Sequence, residues 1–290
     1  MALRITVDIF SGRPNPVIEV DGPDADEVLR RLKPGRKLKG REAVEPQLIL
    51  GYRGLIIEQT GAASGGLPDR FRYVHGNVFG ARFSHRAEDE NFEDFLAGNT
   101  GLLRRLSLGE GFPDLFRKEV ERSQEAEAEH DEKEYHKRRH HSCKCGPLYE
   151  PAWWNVPQRQ PFNNCYNYAT NYRTDTFAQP GLAAGSMYTA LNCPSVGQAA
   201  VKDDLINAAK ANNKCPKEGH LVALVIWPNI DFHWFRKDRN GFWSHKPGST
   251  PVRNVDNSNQ PIPDPRTANR GPYTNFCTFM VVMHGHIKIR

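Results

Sequence analysis

The chain has 290 residues, 38% hydrophobic and 10% aromatic, which is enough for one large domain or two modest ones. A mean hydropathy of -0.65, 21 prolines, 24 glycines and the lack of any apolar run near the roughly 18 residues that span a bilayer argue against an integral membrane protein. Thirty-nine basic residues against 34 acidic ones, a net charge of +5, make a mixed surface, and that balance makes no case for nucleic acid.

Residues 3 to 10 alternate in polarity, Ser-Gly-Arg-Pro-Asn-Pro turns the chain, and Val17 to Val20 resumes an extended pattern, which predicts a β-hairpin. A short helix is expected over 23–32, with acids in its first turn, Val28, Leu29 and Leu32 on its apolar face and Gly35 ending it. Leu48 to Tyr52, Gly54 to Glu58 and Arg72 to Phe79 read as strands. Gly61-Ala-Ala-Ser-Gly-Gly66 lacks the Lys-Ser/Thr of a phosphate loop and reads as a turn. Fifteen of the 23 residues from Arg117 to Arg139 are charged, with Glu129 and Lys133, and Glu134 and Arg138, at the spacing that supports a solvated helix. The expected organisation is a small α+β module (1–112), a charged helical linker (113–145) and a second α+β domain (146–290).

In that second domain a helix is expected to begin at Asn163 or Asn164 and to carry Cys165. Another should begin at Ser195 with the capping box Ser195-x-x-Gln198 and the stripe Val201, Leu205, Ile206, Ala209. Strands follow at His220 to Ile226, Ile230 to Arg236, Gly241 to Lys246 and Phe276 to Met283. With Arg236 set opposite Trp243, His233 falls opposite about Lys246, which makes His245 a near neighbour.

A thiol at a helix start beside an imidazole becomes a nucleophile, because both stabilise the thiolate. Cys165 has the first condition by position. His233, between Phe232 and Trp234, is the preferred base and His220 its rival. His245 or Asp256 would orient the imidazole. Cys143-x-Cys145, preceded by His136, His140 and His141, has poor spacing for zinc, and Cys193, Cys215 and Cys277 have no motif around them. Neither a metal nor a cofactor is expected.

The order Cys165, His233, then His245 or Asp256 resembles the papain-like cysteine peptidase and amidase superfamily, over residues 147 to 290. The residues around Cys165 are neither the Gly-x-Cys-Trp of papain nor the Asp-Cys-Ser of cell-wall peptidases, so the subfamily stays open. The resemblance implies a papain-like domain with helices on an antiparallel sheet, and a cysteine hydrolase or acyltransferase acting on a peptide or amide substrate. The Cys165 N–H at the helix start is one expected oxyanion donor; the resemblance implies Gln158 or Gln160 as the second, while Asn163 and Asn164 are nearer in sequence. The N-terminal module would then recognise substrate or a protein partner, with no membrane contact. The opening Met-Ala-Leu-Arg-Ile-Thr-Val has no long apolar centre, so the expected compartment is the cytoplasm and the six cysteines are expected as thiols. The alternative is a non-catalytic binding module using Trp153, Trp154, Tyr166, Tyr168, Tyr172, Trp234 and Trp243.

Overall fold

The structure is a computed structural model that describes residues 1–46, 48–60, 65–98, 101–106, 108–128 and 142–290. The chain divides into two compact units, one of Met1–Ile9 and Asn15–Ala128, the other of Phe10–Pro14 and Glu129–Arg290. Each mixes helices with an antiparallel sheet, and the chain is of the α+β class.

In the first unit, β1 (Ala2–Val7) and β2 (Val17–Asp21) form the expected hairpin, with Thr6 opposite Val17 and Leu3, Ile5 and Val7 buried on alternate positions. Helix α1 (Gly22–Arg31) buries Val28 and Leu29, and its cap residue Leu32 is buried as well. Strands β3 (Pro34–Lys37), β4 (Leu55–Thr60), β5 (Arg70–Val74), β6 (Asn77–Gly80) and β7 (Phe83–Ala87) complete a sheet of order β2-β1-β4-β5-β6-β7-β3. The run read as one strand from Arg72 to Phe79 is two, because His75 and Gly76 take positive φ and turn the chain. Leu48 to Tyr52 is not a strand. Gly51 and Gly54 both have φ above 100°, so the segment bends and buries Leu50 and Tyr52 without a ladder.

Helix α2 (Phe92–Ala97) precedes α3 (Phe112–Ala128). The solvated helix expected from Arg117 begins five residues earlier, and Phe112, Phe116 and Val120, four apart, give it a buried face. The expected pairs Glu129–Lys133 and Glu134–Arg138 lie outside the described residues, as do His136, His140, His141 and most of the Gly61 to Gly66 turn.

The second unit holds α4 (Pro151–Trp154), α5 (Cys165–Thr170), α6 (Cys193–Lys202) and strands β8 (Ile206–Asn207), β9 (His220–Trp227), β10 (Asp231–Lys237), β11 (Trp243–His245) and β12 (Asn275–Val282). The sheet runs β11-β10-β9-β12-β8. Helix α6 starts before Ser195: Asn192 is its cap, accepting from Ser195 N at 2.9 Å, with Pro194 in the first turn. It ends at Lys202, so Ile206 falls on β8 and Val201 is exposed, which shortens the expected stripe. Lys237 rather than Arg236 pairs with Trp243, one residue from the expected register, and Phe235 stands opposite His245.

Two disulfides, Cys143–Cys215 and Cys193–Cys277, bracket this unit, so four of the six expected thiols are bonded; Cys145 and Cys165 are free. Closing loops of 72 and 84 residues stabilises the unit by about 4 kcal/mol each in the chain-entropy account.

Candidate functional site around Cys165, His233 and His245

The stretch Asn163-Asn164-Cys165-Tyr166-Asn167 is a helix start built from asparagines. Asn164 Oδ1 accepts from the N–H groups of Tyr166 and Asn167 at 3.0 and 3.1 Å, while Asn167 Oδ1 accepts from Asn164 N at 3.0 Å, a reciprocal capping box. Asn164 Nδ2 donates to the carbonyls of Gly12 and Ala178. Asn163 Oδ1 accepts from the N–H groups of Thr174 and Asp175, and its Nδ2 donates to Arg159 O and to Asp175. The asparagines expected as oxyanion donors are therefore occupied in holding backbone. Gln160 Nε2 reaches Ser249 O at 3.4 Å.

All six residues of α5 are buried, Cys165 completely. Its thiol lies among Tyr166, Phe232 and Trp234, with Sγ 4.0 Å from Phe232 O. Burial pushes the thiol well above its ordinary range and the negative charge of Asp231 adds to this, against the opposing pull of the Trp234 N–H and the Lys246 charge. Among the described residues no histidine hydrogen-bonds to Cys165.

Strand periodicity supplies the reason. On β10, Phe232, Trp234 and Arg236 face α5: Trp234 packs on Tyr166, and the Arg236 guanidinium lies 3.9 Å over the Tyr168 ring. Asp231, His233 and Phe235 point to the opposite face, where His233 meets Phe235, His245 and Tyr273. The structure thus joins His233 to His245 and holds both on the far side of the sheet from Cys165. His233 Nε2 lies 3.0 Å from His245 Nδ1, and His245 Nε2 lies 3.0 Å from Val255 O. A carbonyl only accepts, so His245 Nε2 carries a proton and donates it to Val255 O. The pair is a chain of hydrogen bonds ending on backbone.

His220 is on the α5 face but at the other end of that helix, 2.7 Å from Ala169 O. Burial brings its pKa down to about 3, so it is neutral and offers no charge to a thiolate. Asp256 accepts from the N–H groups of Ser258, Gln260 and Asn269 and organises a turn. Cys143, offered as half of a metal pair, is bonded to Cys215.

One cluster escaped the sequence reading. Asp231, fully buried, accepts from Ser11 N at 2.6 Å, Gly12 N at 3.1 Å, Arg13 N at 3.0 Å and Tyr273 Oη at 2.6 Å. Burial raises its carboxyl while these four donors oppose the rise. A Cβ on Gly12 would stand 2.5 Å from the Phe232 ring, so only glycine fits that turn. The available signal was parity: Asp231 shares the His233 face, and Ser-Gly-Arg-Pro offers successive free N–H groups.

No family model and no solved structure matches this chain. Over 140 residues, 48% of this chain and 91% of the relative, it is 47% identical to insoluble matrix shell protein 1 of Ruditapes philippinarum. The chain belongs to the family of that protein. This corrects the expected enzyme: the family's curated relative is named for a shell matrix, not for a thiol protease, amidase or acyltransferase. It corrects the compartment as well. A shell matrix lies outside cells, and two disulfides in one unit suit an oxidising environment rather than the cytoplasm.

Proposed function

We propose that the chain is a non-catalytic, disulfide-bonded component of an insoluble extracellular matrix. The observation that carries this reading is the 47% identity across 91% of insoluble matrix shell protein 1. The geometry supports it: Cys165 is a packed thiol of raised pKa, and the two histidines that would activate it are spent on each other and on a backbone carbonyl across the sheet. Of the aromatic residues that a binding face would use, Trp154, Tyr166, Tyr168, Trp234 and Trp243 are core, which leaves Trp153 and Tyr172 exposed to a ligand.

Sequential extraction of the producing tissue tests this reading. The chain is expected in the extracellular residue that survives salt and detergent, with Cys143 and Cys215 protected from alkylation until a reductant is added. Recovery in the soluble cell lysate with both cysteines freely alkylated would overturn it.

A further inference from the structure

The second unit carries a groove of about 700 Å³ beside its short edge strand β8. Its floor is aliphatic, formed by Ala208, Ala211, Leu221 and Val281, and among the described residues no aromatic ring lines it. Lys210, Lys214 and Lys217 stand along it, all exposed. The Cys143–Cys215 disulfide pins a fourth exposed lysine, Lys144, to the same loop, and Cys145 Sγ donates to Lys217 O at 3.3 Å beside it. Among the described residues none of these four lysines forms an ion pair, whereas Arg266, near the same loop through Asn212, is neutralised by Asp264 at 2.6 Å. Glu218 is the one acid within the loop from Ala208 to Gly219, so the four lysines leave a local excess of positive charge.

We propose that this groove binds an acidic polypeptide segment bearing small aliphatic side chains. Charge complementarity selects a polyanion, and the lysines act at its rim by steering and holding carboxylates. The floor selects polypeptide over sulfated polysaccharide. A sulfated polysaccharide has no alkyl side chains to place there, whereas this floor offers methyl groups that bury alanine, valine or leucine side chains of a partner. The inference stands on the groove's own chemistry and does not need the matrix reading.

The test uses the full, oxidised chain and a fluorescent glutamate–alanine copolymer, followed by anisotropy over a salt series. Binding should weaken as salt rises, and the K210Q/K214Q/K217Q variant should bind about tenfold more weakly with a flatter salt dependence, as expected for three lost rim charges. The K210R/K214R/K217R variant should retain binding. So should K37Q/K39Q/K118Q, which removes the same charge from exposed sites of the other unit. Intact disulfides and unchanged circular dichroism verify each fold. The proposal is overturned by no binding, by equal losses in both glutamine variants, or by dextran sulfate binding more tightly than the copolymer through the same lysines.

Discussion

The two faces of β10 are built from neighbouring residues and do opposite things. One, with Phe232 and Trp234, is dry and takes α5 with Cys165 into an apolar core. The other, with Asp231 and His233, is polar and spends every named side chain on a hydrogen bond, to the turn at Ser11 to Arg13, to Tyr273 or to His245. A helix-start cysteine and a strand histidine can follow each other in the order of a catalytic pair and still be separated by a sheet. Parity along the strand decides the matter, and chain order does not.

The polar face is the sharper place to break this contrast. Replacing Asp231 with Ala strands three backbone N–H groups and the Tyr273 hydroxyl, and should cost about 3 kcal/mol of unfolding free energy in denaturant titration. Asp231→Asn, which keeps an acceptor, should cost less; equal stability of the Ala variant and the parent would show that the turn does not depend on the carboxylate.

A double-mutant cycle measures the separation of the faces. His233→Phe and His245→Phe should show a coupling of about 1 kcal/mol, the net value of one buried hydrogen bond. Cys165→Ala and His233→Phe should couple by less than that, because their side chains lie on opposite faces of β10. Coupling of Cys165 to His233 as large as that between the histidines would mean that the faces communicate.

A third test concerns the dry side. Asp203, buried beneath Tyr166 Oη and Gly181 N at 2.9 and 2.6 Å, has its carboxyl raised to about 6 by burial, against those two donors. Its folded pKa thus exceeds the unfolded value of about 3.9, so the native state holds the proton more tightly. Its contribution is most favourable below about pH 4 and is lost as pH rises through about 6. The stability of Asp203→Asn relative to the parent should therefore rise with pH across that window, a difference to which His220 and the other titrating groups contribute equally on both sides; identical slopes would remove Asp203 from the account.

Much of this architecture was legible. Alternation gave β1 and β2, the run His220 to Ile226 gave the central strand, and Asn164 announced the start of α5. What escaped was non-local. Cys143 finds Cys215 across 72 residues, and no local pattern announces that pairing. Asp231 is claimed by a turn more than 200 positions earlier. The His245 register depended on whether Arg236 or Lys237 meets Trp243, a single-residue choice that reverses every face. The site itself was half readable, because the large apolar neighbours Phe232 and Trp234 already indicated which face of β10 a helix would cover, and it was not the face of His233.

The most direct measurement is the rate at which iodoacetamide labels Cys165 in the native, oxidised Cys145→Ser protein as a function of pH. Cys165 should stay unlabelled from neutral to mildly alkaline pH and react only on unfolding, with no change in His233→Ala. Rapid native labelling with an apparent pKa below the ordinary thiol value of about 8.5, slowed by His233→Ala, would contradict the account and restore a thiolate–imidazole pair.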